Sequence, residues 1–556
     1  MKSRVVDVLS SNFLYKFISE NRWIVLITLF FVAGQLLFAR APFVNLEYLY
    51  AGVAETIESG QLAIGPDNIG FYIKDIANPI LTSVLMVPGI FLFGKSEMVF
   101  RLPIILFGVA LILLSYYYTK RLFSRTVAVI SSALIATNAL FWNFSGMAYT
   151  DIPFVFFTSV AIGLLYFALV EERMIFIHLS ALLLCLAFLT KYVAAIFFVF
   201  AFLIVLLFSL KKHSVKVWNR RAFMVFSARV LKYYWPFVAF FVVVCGSYVF
   251  WMVSSFGFLI HPVHSGVVFW SWSEFFTNYI NALAGYLSWM ATFGCFIVAF
   301  SIYDFVREVR RRRTMLLLLL FIILADAVFF MFFYKQLGEL DFGFIDLLFP
   351  AGMALVIRFL LLLCGEFMVL DLLIRLRWSF RKSDFKSTLL KFWVIFVLVV
   401  LPIARPTQRY LLVILPPIAA YLAFVVLKKD GLFRLRRLAL LLTLLVFIIL
   451  SLFISFYRCS LGIASADVVG YINEHNIDSR LDWEPKSHAY YLLDNKTLYP
   501  FDDPELVLYD TSRPYYTAPR SSINESEYYI VHSVPVKSFG ITMKELVVAK
   551  KIDGVG

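Results

Sequence analysis

Residues 101–144 read RLPIILFGVALILLSYYY, then TKRLFSR, then TVAVISSALIATNALFWNF. Two apolar runs, each close to the ~20 residues that cross a bilayer core, flank a short basic turn. Neither run alternates with a period of two, as a barrel strand would. Inside lipid every backbone N–H and C=O needs a partner within its own segment, so each run reads as a helix. Lys120, Arg121 and Arg125 place the turn on the cytoplasmic side, where basic loops are retained. The result is a helical hairpin, inward and then outward, and it sets the phase for the rest of the chain.

The composition extends that reading to the whole protein. Of 556 residues, 62% are hydrophobic and 15% charged, where a soluble domain has about 25% charged. This excludes soluble globular and disordered classes. The net charge of +14 reflects cytoplasmic Lys and Arg rather than a nucleic-acid surface, so no nucleic-acid partner is expected. Cys185, Cys245, Cys295, Cys364 and Cys459 lie in or at the end of apolar runs, with no metal or disulfide spacing.

Upstream, Trp23–Phe38 is a first span behind Lys2, Arg4, Lys16 and Arg22, which puts the N-terminus in the cytoplasm and keeps the run as an anchor. Residues 40–100 form a long outer loop with polar stretches. Its short apolar piece, ILTSVLMVPGIFLFG (80–94), carries Pro88 and reads as a re-entrant or interfacial helix rather than a span. Downstream the runs alternate: Ile152–Val170, a pair from Ile175 that turns at LTKY, Tyr233–Ser254, Ala282–Tyr303, Met315–Phe333, Leu347–Leu370, Leu389–Ile403, Leu411–Leu427 and Leu438–Phe456. This gives about 13 spans with nearly every strongly basic loop inside. The expected organisation is an all-α polytopic membrane domain, 1–456, in the plasma membrane, followed by a small extracytoplasmic α/β domain, 457–556. Asn495 and Asn524 open glycosylation sequons in that outer domain. No internal repeat of the transporter kind is evident.

Because cations are biased inward, those left outside need a reason. They include Lys74, Lys95, Arg101, Lys191, Lys335, Arg405 and Arg409, beside acids such as Glu47, Asp75 and Asp151. Ionisable groups at span ends are functional candidates; the competing reading is solvated loop charge or snorkelling side chains. Asp151 opens a long apolar run and needs a partner or a water cavity. Lys191 is a lone cation between two apolar runs. Arg405 and Arg409 stand four residues apart at the mouth of a span; on a helix they share a face and suit a phosphate, or else anchor the interface. His261 and His264 could hold a metal, but such a pair is more often hydrogen-bonded structure. Arg310–Arg313 reads as a topology signal or a contact to lipid phosphates.

Several of these stretches, in order, resemble the GT-C superfamily of polytopic glycosyltransferases, and within it the protein O-mannosyltransferase and lipid A aminoarabinose transferase group. They are LEYLYAGVAETIESGQL, ANPILTSVL, SEMVFRLPIILFG, YTDIPFVFF, LAFLTKYVAA and QRYLLVILPPIAA, spread over residues 20–425. The resemblance implies transfer of a sugar from a polyprenyl- or dolichyl-phosphate carrier to a protein, lipid or glycan acceptor on the outer face. It implies a base among Glu47 and Asp75, with Asp151 as a second acid of the same cavity. Lys191, Arg405, Arg409 and Lys74 would hold the lipid phosphate and stabilise its leaving charge; Tyr50, Arg101 and Tyr410 would line the cavity. Part of the aromatic content would line a groove for the isoprenoid chain. The wider superfamily admits a divalent metal, yet the outer face offers no Asp-x-Asp pair for one, and no cofactor is otherwise implied. One departure stands out: aligned on Tyr50-Ala51, the family's Asp falls on Leu46, leaving Glu47 alone of the acidic pair. Two other classes remain open, a transporter or flippase for a lipid-linked substrate and a catalytically silent scaffold of the same fold.

Overall fold

The computed structural model describes residues 11–44, 47–60, 78–213, 220–257, 275–309, 324, 351–381, 384–403, 408–474, 481–483, 506–510, 528–538 and 541–551. Its first half comprises α1 (Ser11–Phe38), α2 (Glu47–Glu58), α3 (Leu81–Phe93), α4 (Glu97–Leu122), α5 (Arg125–Thr137), α6 (Ala139–Ser145), α7 (Asp151–Glu171), α8 (Met174–Thr190) and α9 (Ile196–His213). The second half comprises α10 (Arg220–Phe240), α11 (Gly246–Phe256), α12 (Phe275–Gly294), α13 (Val298–Val309), α14 (Ala351–Arg381), α15 (Phe385–Val400), α16 (Leu415–Leu427) and α17 (Phe433–Glu474). Four strands close the chain: β1 (Leu481–Trp483), β2 (Leu506–Asp510), β3 (Tyr528–Ser538) and β4 (Ile541–Lys551).

Among the described residues nine helical stretches are long and apolar enough to cross a membrane, ten if one bent pair counts as a span. The protein is a polytopic helical membrane protein. Its lipid-facing side chains, such as Leu37, Phe91, Leu92 and Phe250, are left largely bare along the helices, at no cost in a hydrocarbon solvent. The expected run Met315–Phe333 lies outside the described residues. Helix α3 has 13 residues and so rises about 20 Å, short of the ~30 Å hydrocarbon core.

The hairpin that set the threading holds with one change. The first run is α4, capped by Ser96, whose side chain accepts from the Val99 amide. The second run is not straight: α5 and α6 meet at a 63° bend. Asn138 causes it. Its amide closes α5 on the Leu134 carbonyl (3.1 Å), while its Oδ1 accepts from the Leu140 and Phe141 amides (3.1 Å each) and starts α6. One side chain thus caps two helix ends, a role hidden when hydropathy is averaged over the run. After the bend Trp142 packs onto α1, where a Cβ at Gly34 would lie 2.3 Å from the indole.

The helices sort their polar residues to two ends. At one end, Asp304 of α13 is bonded by Lys428 and by Arg436 of α17 (2.8 Å each), with Arg375 of α14 at 3.7 Å. Arg375 also pairs with Asp371 (2.7 Å), which takes the Tyr421 hydroxyl of α16. This buried clamp ties four helices together. The Arg121–Glu171 pair, at the ends of α4 and α7, shares that polarity. The starts of α2, α4 and α7, together with Lys191, lie at the opposite end.

Helix α17 runs without a break past Phe456 to Glu474, so the expected domain boundary falls within a helix. The strands form one sheet in the order β1-β2-β4-β3, with β1 and β2 parallel and the other pairs antiparallel. Val534 of β3 packs against the main core.

Candidate active site

Asp151 is the first residue of α7, and the local sequence explains why. Pro153 sits in the first turn, where its missing N–H removes nothing, and a carboxylate there faces the positive end of the helix. Asp151 is fully buried. Its Oδ1 is ion-paired with Lys191 Nζ, and its Oδ2 lies 4.0 Å from Arg409 Nη1. Among the described residues Oδ2 has no hydrogen-bond partner.

Lys191 follows the last residue of α8 in an extended conformation, before the 3₁₀ turn Tyr192–Ala195. This single extended residue swings the lysine out of the helical ladder and across to Asp151. Its ammonium stands 4.3 Å from the Tyr410 ring, a cation–π contact strengthened by burial. Burial pushes the Lys191 pKa down to about 8; Asp151 works against that fall and Arg409 adds to it.

Arg409 and Tyr410 come from the 3₁₀ helix Gln408–Ile414, ahead of α16. The Arg409 guanidinium lies 5.5 Å over the Tyr149 ring, and its side chain is a quarter exposed. It is the more accessible of the group's two cations. The Tyr149 ring stands 5.5 Å from Tyr50. Asn78 donates to the Tyr50 hydroxyl (2.9 Å), and Ser83 donates to the Tyr50 carbonyl (2.9 Å). Burial raises the Tyr50 pKa, keeping it a neutral phenol. Four separate chain segments, around 50, 150, 191 and 409, thus bring one acid, two cations and three tyrosines together.

Beside this group lies a second, closed one. Glu47, the first residue of α2, takes Arg101 at both oxygens, Nε to Oε1 at 2.8 Å and Nη2 to Oε2 at 2.7 Å. The Val44 amide (2.9 Å) and the Ala148 amide (2.7 Å) also donate to it. Arg101 spends its remaining donors on the carbonyls of Ala39, Ala41 and Pro42. Burial alone would raise the Glu47 pKa; the charge and hydrogen bonds of Arg101, the Arg458 charge and the Val44 amide outweigh it and hold the pKa below its ordinary value. A carboxylate with four donors on it is a poor base, which is the physical obstacle to the role the sequence suggested for Glu47. Arg101 faces Glu47 and backbone rather than an open cavity.

Of the expected site residues, Asp151, Lys191, Arg409, Tyr50 and Tyr410 converge. Glu47 and Arg101 form the adjacent pair. Asp75, Lys74 and Arg405 lie outside the described residues, as do His261 and His264. Among the described residues no three His, Cys, Asp or Glu side chains gather to hold a metal. Sequence reading missed Tyr149 and Arg458. The signal for Tyr149 was its place two residues before Asp151; the signal for Arg458 was a lone charge within the stretch 438–466.

Residues 77–251 match the sequence model of the family described as dolichyl-phosphate-mannose-protein mannosyltransferase. Over that stretch the chain is similar to the dolichyl-phosphate-mannose-protein mannosyltransferases. The matched stretch holds Asn78, Arg101, Asp151 and Lys191; Glu47, Arg409 and Arg458 lie beyond it. None of the curated proteins matches the chain. Among solved structures it is similar to ArnT from Cupriavidus metallidurans bound to undecaprenyl phosphate, with 14% identity over 96% of this chain and 99% of that one, at a TM-score of 0.42. It is also similar to the oligosaccharyltransferase AglB from Archaeoglobus fulgidus in complex with an inhibitory peptide and a dolichol-phosphate. That match has 14% identity over 87% of this chain and 62% of that one, at a TM-score of 0.42.

Proposed function

We propose that the chain is a membrane glycosyltransferase that takes a sugar from a polyprenyl- or dolichyl-phosphate donor and passes it to an acceptor hydroxyl. The observation that carries this reading is the buried group of Asp151, Lys191 and Arg409 at one end of the helix bundle. Together with its neighbours it is rich in positive charge: among the described residues Lys191, Arg409, Arg101 and Arg458 stand against Asp151 and Glu47. A buried group with two more cations than acids suits an anion, such as the phosphate of a lipid carrier.

In this reading Lys191 and Arg409 hold the donor phosphate. The acceptor oxygen attacks the anomeric carbon, the bond from that carbon to the phosphate oxygen breaks, and its electron pair leaves on the lipid phosphate. The two cations stabilise that charge as it grows. The acceptor proton passes to a carboxylate acting as base, and Asp151 offers Oδ2 for it. The tyrosines exclude water and position the rings of the sugars. By the positive-inside rule, the end that carries Lys120, Arg121 and Lys428 is cytoplasmic, which puts this group, and the sheet after α17, on the outer face. The about 13 spans of the full thread belong to the same proposal, as do the plasma-membrane location and the protein, lipid or glycan acceptor.

One observation favours a second reading. Leu46 stands where an acid is expected and Glu47 is fully engaged, which suits a silent relative that binds the lipid phosphate without transferring a sugar. The deciding experiment is transfer by the purified protein in detergent from radiolabelled polyprenyl-phosphate sugars, with Asp151→Asn alongside. Transfer by the parent and its loss in the variant supports the enzyme. Donor binding without transfer supports the silent relative, and neither binding nor transfer refutes both.

A further inference from the structure

One face of α17 carries Ser451, Ser455, Arg458 and Gly462, spaced by four, three and four residues, so they form a stripe down a single side of the helix. Its first three members meet the chain segment that leads into the site, and the fourth meets the turn before Glu47. Ser451 Oγ donates to the Thr137 carbonyl (3.0 Å), and Ser455 Oγ accepts from the Trp142 indole (2.9 Å). Arg458 Nη1 donates to the Asn143 carbonyl (2.9 Å) and Nη2 to the Gly146 carbonyl. At Gly462 the helix approaches so closely that a Cβ would lie 2.7 Å from the Pro42 carbonyl oxygen, the same carbonyl that Arg101 bonds.

The stripe therefore grips both walls of the Glu47 group. Arg458 donates to two carbonyls where α6 ends, one of which, that of Asn143, also takes the Gly146 amide (3.3 Å), and the chain then has only four residues to run from Gly146 to Asp151. Along that run the Ala148 amide is held by Glu47, and Tyr149 supplies the ring beneath Arg409. Arg458 is nine-tenths buried. A lysine could keep the charge there but not the planar fork that spans two carbonyls. Gly146 completes the fit, because a Cβ there would come within 2.3 Å of Gln35 Oε1 and 3.0 Å of Arg458 Nη1.

We propose that Arg458 is a positioning residue: through Asn143 and Gly146 it fixes the Gly146–Thr150 segment and so sets where Tyr149 and Asp151 meet the donor phosphate. This rests on the glycosyltransferase reading of the site, but its geometry can be tested separately. It also gives α17 a second task. The helix that leads to the terminal sheet is the one that holds the site's entry segment.

The test uses the full-length protein in detergent, as parent, Arg458→Gln, Arg458→Lys and Gly146→Ala. Two quantities are read: hydrogen exchange at the Ala148 and Tyr149 amides, and binding of undecaprenyl phosphate. Arg458→Gln should speed exchange at Ala148 at least tenfold and weaken binding about tenfold, with Arg458→Lys between it and the parent. Gly146→Ala, which displaces Arg458 without removing it, should give the same local change and keeps the test alive where Arg458→Gln does not fold. Unchanged exchange at Ala148 overturns the proposal. So does a rise of equal size in α14 and α15, which would mark Arg458 as a general packing residue. A parent that binds no undecaprenyl phosphate sinks the reading of the site, while the exchange measurement still decides whether Arg458 fixes the segment.

Discussion

Removing the Lys191 ammonium separates structure from function at the candidate site. In Lys191→Met the apolar stem is kept and the charge is lost. Asp151, fully buried, then keeps only Arg409 at 4.0 Å. Leaving one member of a buried pair alone costs about 3–5 kcal/mol, so the variant should inactivate faster on heating in detergent. Donor affinity should fall as well, because a charge-assisted hydrogen bond to the phosphate contributes about 1.5–3 kcal/mol, or ~10- to 150-fold in the dissociation constant. The double variant Asp151→Asn, Lys191→Met tells the two effects apart. It removes the stranded charge, so most of the thermal robustness should return. The phosphate still lacks its cation, so affinity should stay low. The assays are monodispersity after timed heating and binding of undecaprenyl phosphate, run on the parent, Lys191→Met and the double variant. If the double variant recovers affinity together with robustness, Lys191 serves only Asp151 and the phosphate role is wrong.

Other outcomes follow from the same geometry. Phosphate affinity of the parent should decline as pH rises through about 8, because burial lowers the Lys191 pKa to about 8 and the ammonium is charged only below that value; a titration of binding against pH should show the decline in the parent and not in Lys191→Met. Arg101→Gln should reduce folded yield by stranding buried Glu47, a loss of about 3–5 kcal/mol, and size-exclusion profiles should show aggregation rather than a folded protein with a selective defect. Asp304→Asn should destabilise the opposite end, where three cations meet that carboxylate, yet leave phosphate affinity within twofold in the fraction that folds. Gly365→Ala should not yield folded protein, since its Cβ would lie 1.9 Å from the Leu287 carbonyl and α12 and α14 would have to part.

That the chain is a bundle of membrane-length helices was legible because hydropathy over about 20 residues is a strong signal. The bend at Asn138 was not, since one polar residue barely lowers the mean of its run while its side chain caps two helices. Asp151, Lys191 and Arg409 were legible for the converse reason: a charge at the edge of an apolar run has few explanations. What no sequence pattern gave was which of them touch. Glu47 was a candidate base because the family resemblance left it alone of an acidic pair; its four donors come from residues 44, 101 and 148, and only the folded chain brings them together. Arg458 was passed over because it falls near the end of a span, where arginines usually reach for the interface.

The measurement closest to the central claim is a structure of the protein with a polyprenyl phosphate bound. The account predicts the phosphate between Lys191 and Arg409, within hydrogen-bond distance of both, with Tyr149 and Tyr410 at its sides. A phosphate found at the other end of the bundle, near Lys428 and Arg436, or one that leaves the Asp151–Lys191 pair untouched, would contradict it.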